Sequence, residues 1–343
     1  MKLRTRLAAT TLTALLAALA ALALSGCARP AQNTIARTAD PQVSFATPEG
    51  AVEALVAAGE KQDVAGLHAL LGPGTGALLS SGDPVADRRA REAFLARYRA
   101  RHELIADGPN DFALLLGEER LPFAIPLVRT GGRWFWDGAA GAPELLSRRI
   151  EANQRRTIAV LKSFVGAEEQ YAAVGHDGGP PGVYAQKLRS TSGKRDGLYW
   201  DTAAGEPQSP ASPLLAAAAA EGYSVGRVGG APYHGYVFRL LTSQGPSARG
   251  GARDYLASGK LTGGFAALAY PDAYGSSGVM TYMVSQEGVV WQRDLGQGTG
   301  AAAATIRQFD PNDTWAPVAS ESSAGTAPQG SAIAPPIRSA SRR

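Results

Sequence analysis

The chain reads as an α+β protein, on three observations. Capped amphipathic helices fill the stretch from Thr47 to about Ala106, followed by short strand-like runs. A sustained helical period runs from Pro143 to about Ala173, and beyond Tyr233 strand-forming segments alternate with glycine turns. The predicted architecture is N-terminal helices plus a small antiparallel sheet, a long central helix, and a C-terminal antiparallel sheet of about four strands.

Met1 to Arg6 is short and basic through Lys2, Arg4 and Arg6, and Leu7 to Leu24 is almost entirely Ala, Leu and Thr. This is the layout of a secretory signal, a positive region followed by an apolar one. The apolar run is also about one bilayer-spanning length, so a retained transmembrane helix is the alternative. The run ends in Leu24-Ser25-Gly26-Cys27, which holds the one cysteine of the 343-residue sequence. These four residues resemble the lipobox of bacterial lipoproteins. That resemblance implies removal of residues 1–26, acylation of Cys27 and attachment to a membrane as the principal partner. It also implies a place in the cell envelope, and Ala28 after the cysteine implies sorting to an outer membrane, facing the periplasm. A single cysteine cannot form an internal disulfide, which suits an attachment point.

Residues 27–45 read as a tether and 46–140 as an N-terminal α+β domain. Thr47-Pro48-Glu49 is a helix start, with Thr as cap and Pro in the first turn. A short helix from Val64 to Leu71 ends at Gly72-Pro73-Gly74. Ser81-Gly82-Asp83-Pro84 is a turn, and Val85 to Ala106 is predicted as one charged helix. Its run of Arg88, Arg89, Arg91, Arg97, Arg99 and Arg101 reads either as a phosphate or anionic-lipid patch or as a solvated helix face paired with Asp87, Glu92 and Glu103. Phe112–Leu116, Phe123–Arg129 and Arg133–Asp137 are predicted strands, with Thr130-Gly131-Gly132 as hairpin punctuation and Pro122 and Pro126 marking an edge or bulges.

The long connecting helix occupies 141–174. Residues 175–315 form a β-rich domain with predicted strands at Gly235–Leu241, Gly263–Tyr270, Val279–Ser285 and Val289–Gln292. A small Ala-rich helix precedes them at Pro213–Glu221, and another follows Thr299. Residues 316–343, rich in Ser, Ala and Pro, read as a disordered tail. The formal charge of +4 comes largely from the leader and this tail, where Arg338, Arg342 and Arg343 lie, so the body is close to neutral. Its overall charge carries no nucleic-acid footprint.

Several blocks then combine into a likeness. Gly82-Asp83-Pro84-Val85-Ala86-Asp87, Leu121 to Val128, Trp134-Phe135-Trp136-Asp137, Arg148 to Asn153, Pro232-Tyr233-His234-Gly235-Tyr236 and Tyr274 to Met280 together resemble the DUF2950 family of exported bacterial proteins. Leu121 stands where the family's recurrent WPFPIP block has Trp. The resemblance implies export and no established activity. The C-terminal strand order is also similar to the β-region of type IV pilins and pseudopilins, although the apolar pilin helix is absent.

Candidate chemistry is sparse. The histidines, His68, His102, His176 and His234, show no metal-ligand spacing, and no metal or cofactor is predicted. His176-Asp177 in a Gly/Pro loop and His234 between two tyrosines are the catalytic candidates, since histidine transfers protons near neutral pH. Against that, a histidine flanked by aromatics is more often a packed, hydrogen-bonded residue. Gly275-Ser276-Ser277-Gly278 fails the spacing of a hydrolase elbow, and Gly296 to Ala301 lacks the βαβ context of a dinucleotide loop. The tryptophans supply core area first and a groove lining second. The expectation is a lipid-anchored envelope protein that binds a partner or supports an assembly, possible partners including another envelope protein. The alternative is an envelope hydrolase or ligand-binding enzyme using the loop histidines.

Overall fold

Thr47 opens the first helix as its sequence suggests: its hydroxyl accepts from the Gly50 amide at 3.2 Å, and Pro48 sits in the first turn of α1 (Pro48–Glu60). The computed structural model describes residues 42–223 and 232–319. The signal, Cys27 and nearly all of the tether therefore lie outside the described residues, as does the tail beyond Ala319. The Asp63 carboxylate caps α2 (Val64–Leu71), and Gly72, with φ of 84°, ends it. A single turn, α3 (Gly76–Leu79), leads to α4 (Pro84–Ala100), capped by Asp83.

The α4 helix stops at Ala100, six residues before its predicted end. Arg101 is extended, and the Gly117 amide takes the Arg101 carbonyl at 2.9 Å. Residues His102–Ala106 become β1, paired antiparallel with β2 (Asp111–Leu116), so that Leu104 faces Leu114 and Ile105 faces Ala113. Leu104 and Ile105, expected within that helix, instead lie on opposite faces of a strand. The predicted strand Phe123–Arg129 is likewise broken: β3 (Leu121–Pro122) pairs with the end of β2, and β4 (Leu127–Thr130) begins only after Pro126, which has no amide hydrogen to donate. β5 (Arg133–Trp136) closes the hairpin over Gly131 and Gly132, both at positive φ. This sheet runs β1-β2-β4-β5. Its core joins Leu55, Leu71, Leu114, Ile125, Leu127 and Trp136, and the Trp136 indole N–H donates to the Ala51 carbonyl at 3.1 Å.

The central helix α5 spans Gly138–Ala172, starting five residues before Pro143 because Asp137 caps it through the Ala140 amide. Its first turn fits closely against the N-terminal layer, where a Cβ on Gly141 would lie 2.4 Å from the Ala124 carbonyl oxygen. Its last turns carry Leu161, Phe164 and Val165 into the C-terminal core. A short helix, α6 (Ser212–Ala220), precedes the second sheet.

That sheet begins with β6 (Tyr236–Leu241). Two small ribbons follow, β7 (Ser243–Gln244) with β8 (Arg253–Asp254) and β9 (Leu256–Ala257) with β10 (Lys260–Leu261). Then come β11 (Ala266–Pro271), β12 (Met280–Ser285), β13 (Val290–Asp294), α7 (Thr299–Thr305) and β14 (Ala316–Pro317). The order is β14-β13-β12-β11-β6, antiparallel throughout. It has five strands rather than about four, the fifth using residues expected to open the disordered tail. Both faces are covered: α5 packs on Ala267, Ala269, Tyr282 and Val284, while Ala303, Phe309 and Trp315 cover Leu241, Leu268 and Met283. The strands accordingly read as almost continuous apolar runs.

Candidate functional site

Segments far apart in sequence meet at the start of α4. Asp83 is 1% exposed, and its Oδ1 accepts from the Val85 and Ala86 amides at 3.1 and 3.0 Å. Its Oδ2 accepts from the Tyr223 hydroxyl at 2.8 Å and from the Gly235 amide at 3.0 Å. Four donors around one buried carboxylate satisfy its charge, and breaking any of them carries a cost. Asp87 accepts from the Ser81 amide and hydroxyl at 2.9 and 2.7 Å, with the Arg149 guanidinium 4.0 Å away. Arg149 donates to the carbonyls of Ala77, at 2.8 Å, and Leu78. Burial lowers its pKa, and Asp87 works against that shift. Asn153 of α5 donates to the Ser277 carbonyl at 2.9 Å, and the Ser276 hydroxyl donates to the Ala77 carbonyl at 3.0 Å.

Beside this junction a groove of about 550 Å³ runs between α4, α5 and the N-terminal sheet. Its floor is apolar, with Leu55, Leu71, Phe94, Leu116, Phe123 and Leu145. Arg89, Arg91 and Arg97 of α4 line one side and Arg148, Arg149 and Arg156 of α5 the other, against only two carboxylates, Asp87 and Glu221. Arg91 is bonded to Gln62 at 2.6 Å and Arg148 to Glu144 at 2.7 Å. Arg89, Arg97 and Arg156 have no carboxylate within 4 Å among the described residues.

His234 also lines the groove. It is 6% exposed, holds a left-handed backbone with φ of 52°, and places Nε2 3.1 Å from the Glu221 carboxylate. The rings of Tyr233 and Tyr223 lie 4.2 and 5.5 Å from its own. Burial lowers its pKa most; Glu221 opposes, Arg156 and Arg89 reinforce the lowering, and Asp83 opposes. The imidazole is therefore mainly neutral near pH 7 and donates Nε2–H to Glu221. Burial, then the bond to Asp83, pushes the Tyr223 phenol far above its ordinary range.

A family model described as "Protein of unknown function (DUF2950)" matches residues 42–318. The chain belongs to the DUF2950 family. Four of the six sequence blocks that carry the DUF2950 likeness converge here: Gly82–Asp87, Arg148–Asn153, Pro232–Tyr236 and Tyr274–Met280 supply the Asp83, Asp87, Arg149, Asn153 and Ser277 contacts. No curated protein and no solved structure matches the chain.

Of the sequence candidates among the described residues of this DUF2950 chain, only His234 lines the groove. His176 stacks on Tyr171, with ring centroids 4.0 Å apart, and donates Nε2–H to the Tyr171 carbonyl at 3.0 Å. Asp177 accepts from the Arg195 amide at 2.9 Å. Both pin the loop after α5. Cys27 lies outside the described residues. Glu221, Tyr223 and Asp83 were not singled out from sequence, since their partners are distant along the chain. Among the described residues, no three His, Cys, Asp or Glu side chains converge as a metal site requires. In the turn before β12 the Ser276 hydroxyl donates to the Ala77 carbonyl and the Ser277 hydroxyl to the Ala273 carbonyl, so both are bonded to backbone.

Proposed function

We propose that the protein is a non-enzymatic, lipid-anchored binding protein of the cell envelope, which holds an anionic ligand in the arginine-walled groove. One observation supports this most directly: Arg89, Arg97 and Arg156 line a concave surface without carboxylate partners among the described residues. Crowded guanidinium groups raise the local positive potential, and an anion with paired oxygens is the complement of their planar forks. Acylation of Cys27 would hold this body at the membrane, with several chains giving stable attachment.

The test is gentle extraction from native membranes followed by native mass spectrometry. A bound anionic mass is expected on the wild type and is lost in Arg89→Glu/Arg156→Glu, with the circular dichroism spectrum unchanged. Ligand-free wild-type protein would sink the reading.

The 3.1 Å pairing of His234 with Glu221 favours a second reading, an envelope hydrolase in which His234 takes a proton from water while Glu221 holds the resulting imidazolium. Under that reading the co-purified ligand is cleaved on incubation and His234→Gln stops the cleavage. A ligand that stays intact excludes it.

A further inference from the structure

We infer that the ligand of the groove is a single-chain amphiphile with a phosphate monoester head, its tail on the leucine and phenylalanine floor and its head between Arg89 and Arg156. This rests on the binding reading above and names the ligand class for the same site.

The lining is segregated by origin. Its arginines come from α4 and α5, whereas α1, α2, α3, the end of β2 and the stretch through Phe123 contribute no polar side chain to it. A free inorganic anion would engage the arginines and leave the half-buried Phe94, Phe123 and Leu145 of the lining uncovered. An uncharged apolar molecule would cover that floor and leave the guanidinium groups crowded without a counter-charge. A molecule carrying both halves satisfies both walls, since burial of each methylene is favourable and a guanidinium fork pairs with anionic oxygens. The volume of about 550 Å³ falls in the range of roughly 300–1,000 Å³ usual for small-molecule sites.

Arg89 of α4 and Arg156 of α5 line the groove together with His234, and neither has a carboxylate within 4 Å among the described residues. The two carboxylates of the lining are already engaged: Glu221 by His234 at 3.1 Å, Asp87 by Ser81 and Arg149. The two arginine forks remain for phosphate oxygens, and a phosphate monoester matches them in charge and geometry.

The test is calorimetric titration of the purified protein with inorganic phosphate, then octyl, decyl and dodecyl phosphate, and dodecyl maltoside, each below its micellar concentration. Affinity is expected to rise by about fourfold for each added methylene. Dodecyl phosphate should bind on the order of 100-fold tighter than dodecyl maltoside, and Arg89→Gln/Arg156→Gln should weaken it by about tenfold or more while keeping the dependence on chain length. Affinity that is flat along the alkyl series, with phosphate still bound, overturns the amphiphile and leaves anion binding standing. Absence of binding by every phosphate overturns both. Phosphatidylcholine vesicles carrying lysophosphatidic acid separate the sources. Transfer of that lipid to the protein marks a membrane source, binding of dispersed alkyl phosphate alone marks a free one, and either supports the class.

Discussion

Glu168 enters the C-terminal core from α5 with no exposed surface. Its Oε2 accepts from the Ala185 amide at 2.8 Å, and its Oε1 has no partner among the described residues. Burial raises its pKa to about 8, with the Ala185 bond only partly offsetting the rise. The folded protein therefore keeps a proton that the unfolded chain releases at its ordinary carboxyl pKa near 4. Stability from this group is complete below that unfolded value, declines as pH rises, and is lost through about pH 8. Glu168→Gln keeps an acceptor for Ala185 and cannot ionise. Thermal melts between about pH 5 and 8 should fall for the wild type and stay nearly flat for the variant, with the variant ahead at pH 8 by on the order of a few kcal/mol. Parallel melting curves would reject the assignment. A buried acid of this kind is invisible in sequence, where Glu168 looks like any exposed helix carboxylate. Asp83 is a halfway case: Ser-Gly-Asp-Pro announces a helix cap, but nothing local announces that its other oxygen accepts from Gly235, 152 positions away.

Two glycines of α5 show how one element answers to two environments. A Cβ at Gly141 would meet the Ala124 oxygen and the Ile125 Cα at 2.4 Å, both backbone, so neither can swing aside. At Gly166 nothing lies within 4 Å. Gly166→Ala should stabilise by about 0.5–1 kcal/mol through helix propensity. Gly141→Ala should destabilise by about 1–3 kcal/mol despite the same gain, because the helix must shift off the sheet. Denaturant midpoints check both signs, and two stabilising substitutions would contradict the close approach. The helix itself was legible because its apolar period is long, and its start was missed because Asp137 caps it ahead of Pro143. The end of α4 was misread for a related reason: Leu104 and Ile105 fit a helical face as well as a strand, and only the distant partner Leu114 decides between them. The ribbons β7 to β10 are too short to show any period.

At the scale of the whole molecule, the order of helices, sheet, long helix and second sheet was readable from periodicity and turns. The groove was legible only in part: the α4 arginines read either as an anion patch or as a solvated face, and nothing local brings those of α5 into the same lining. The proposed anchor lies before Gln42, outside the described residues. Among the described residues no helix is long and apolar enough to cross a membrane. Intact mass spectrometry of membrane-extracted protein should find a chain beginning at Cys27 with acyl mass added, and Cys27→Ser should abolish that mass. An uncleaved leader without acylation would overturn the anchor. The last strand has a different consequence. β14 extends the sheet by only two residues, Ala316 and Pro317, and Pro317 has no amide hydrogen for a neighbouring chain. Copies crowded on a surface would find little ladder there to add to, so this side of the sheet resists fibre growth.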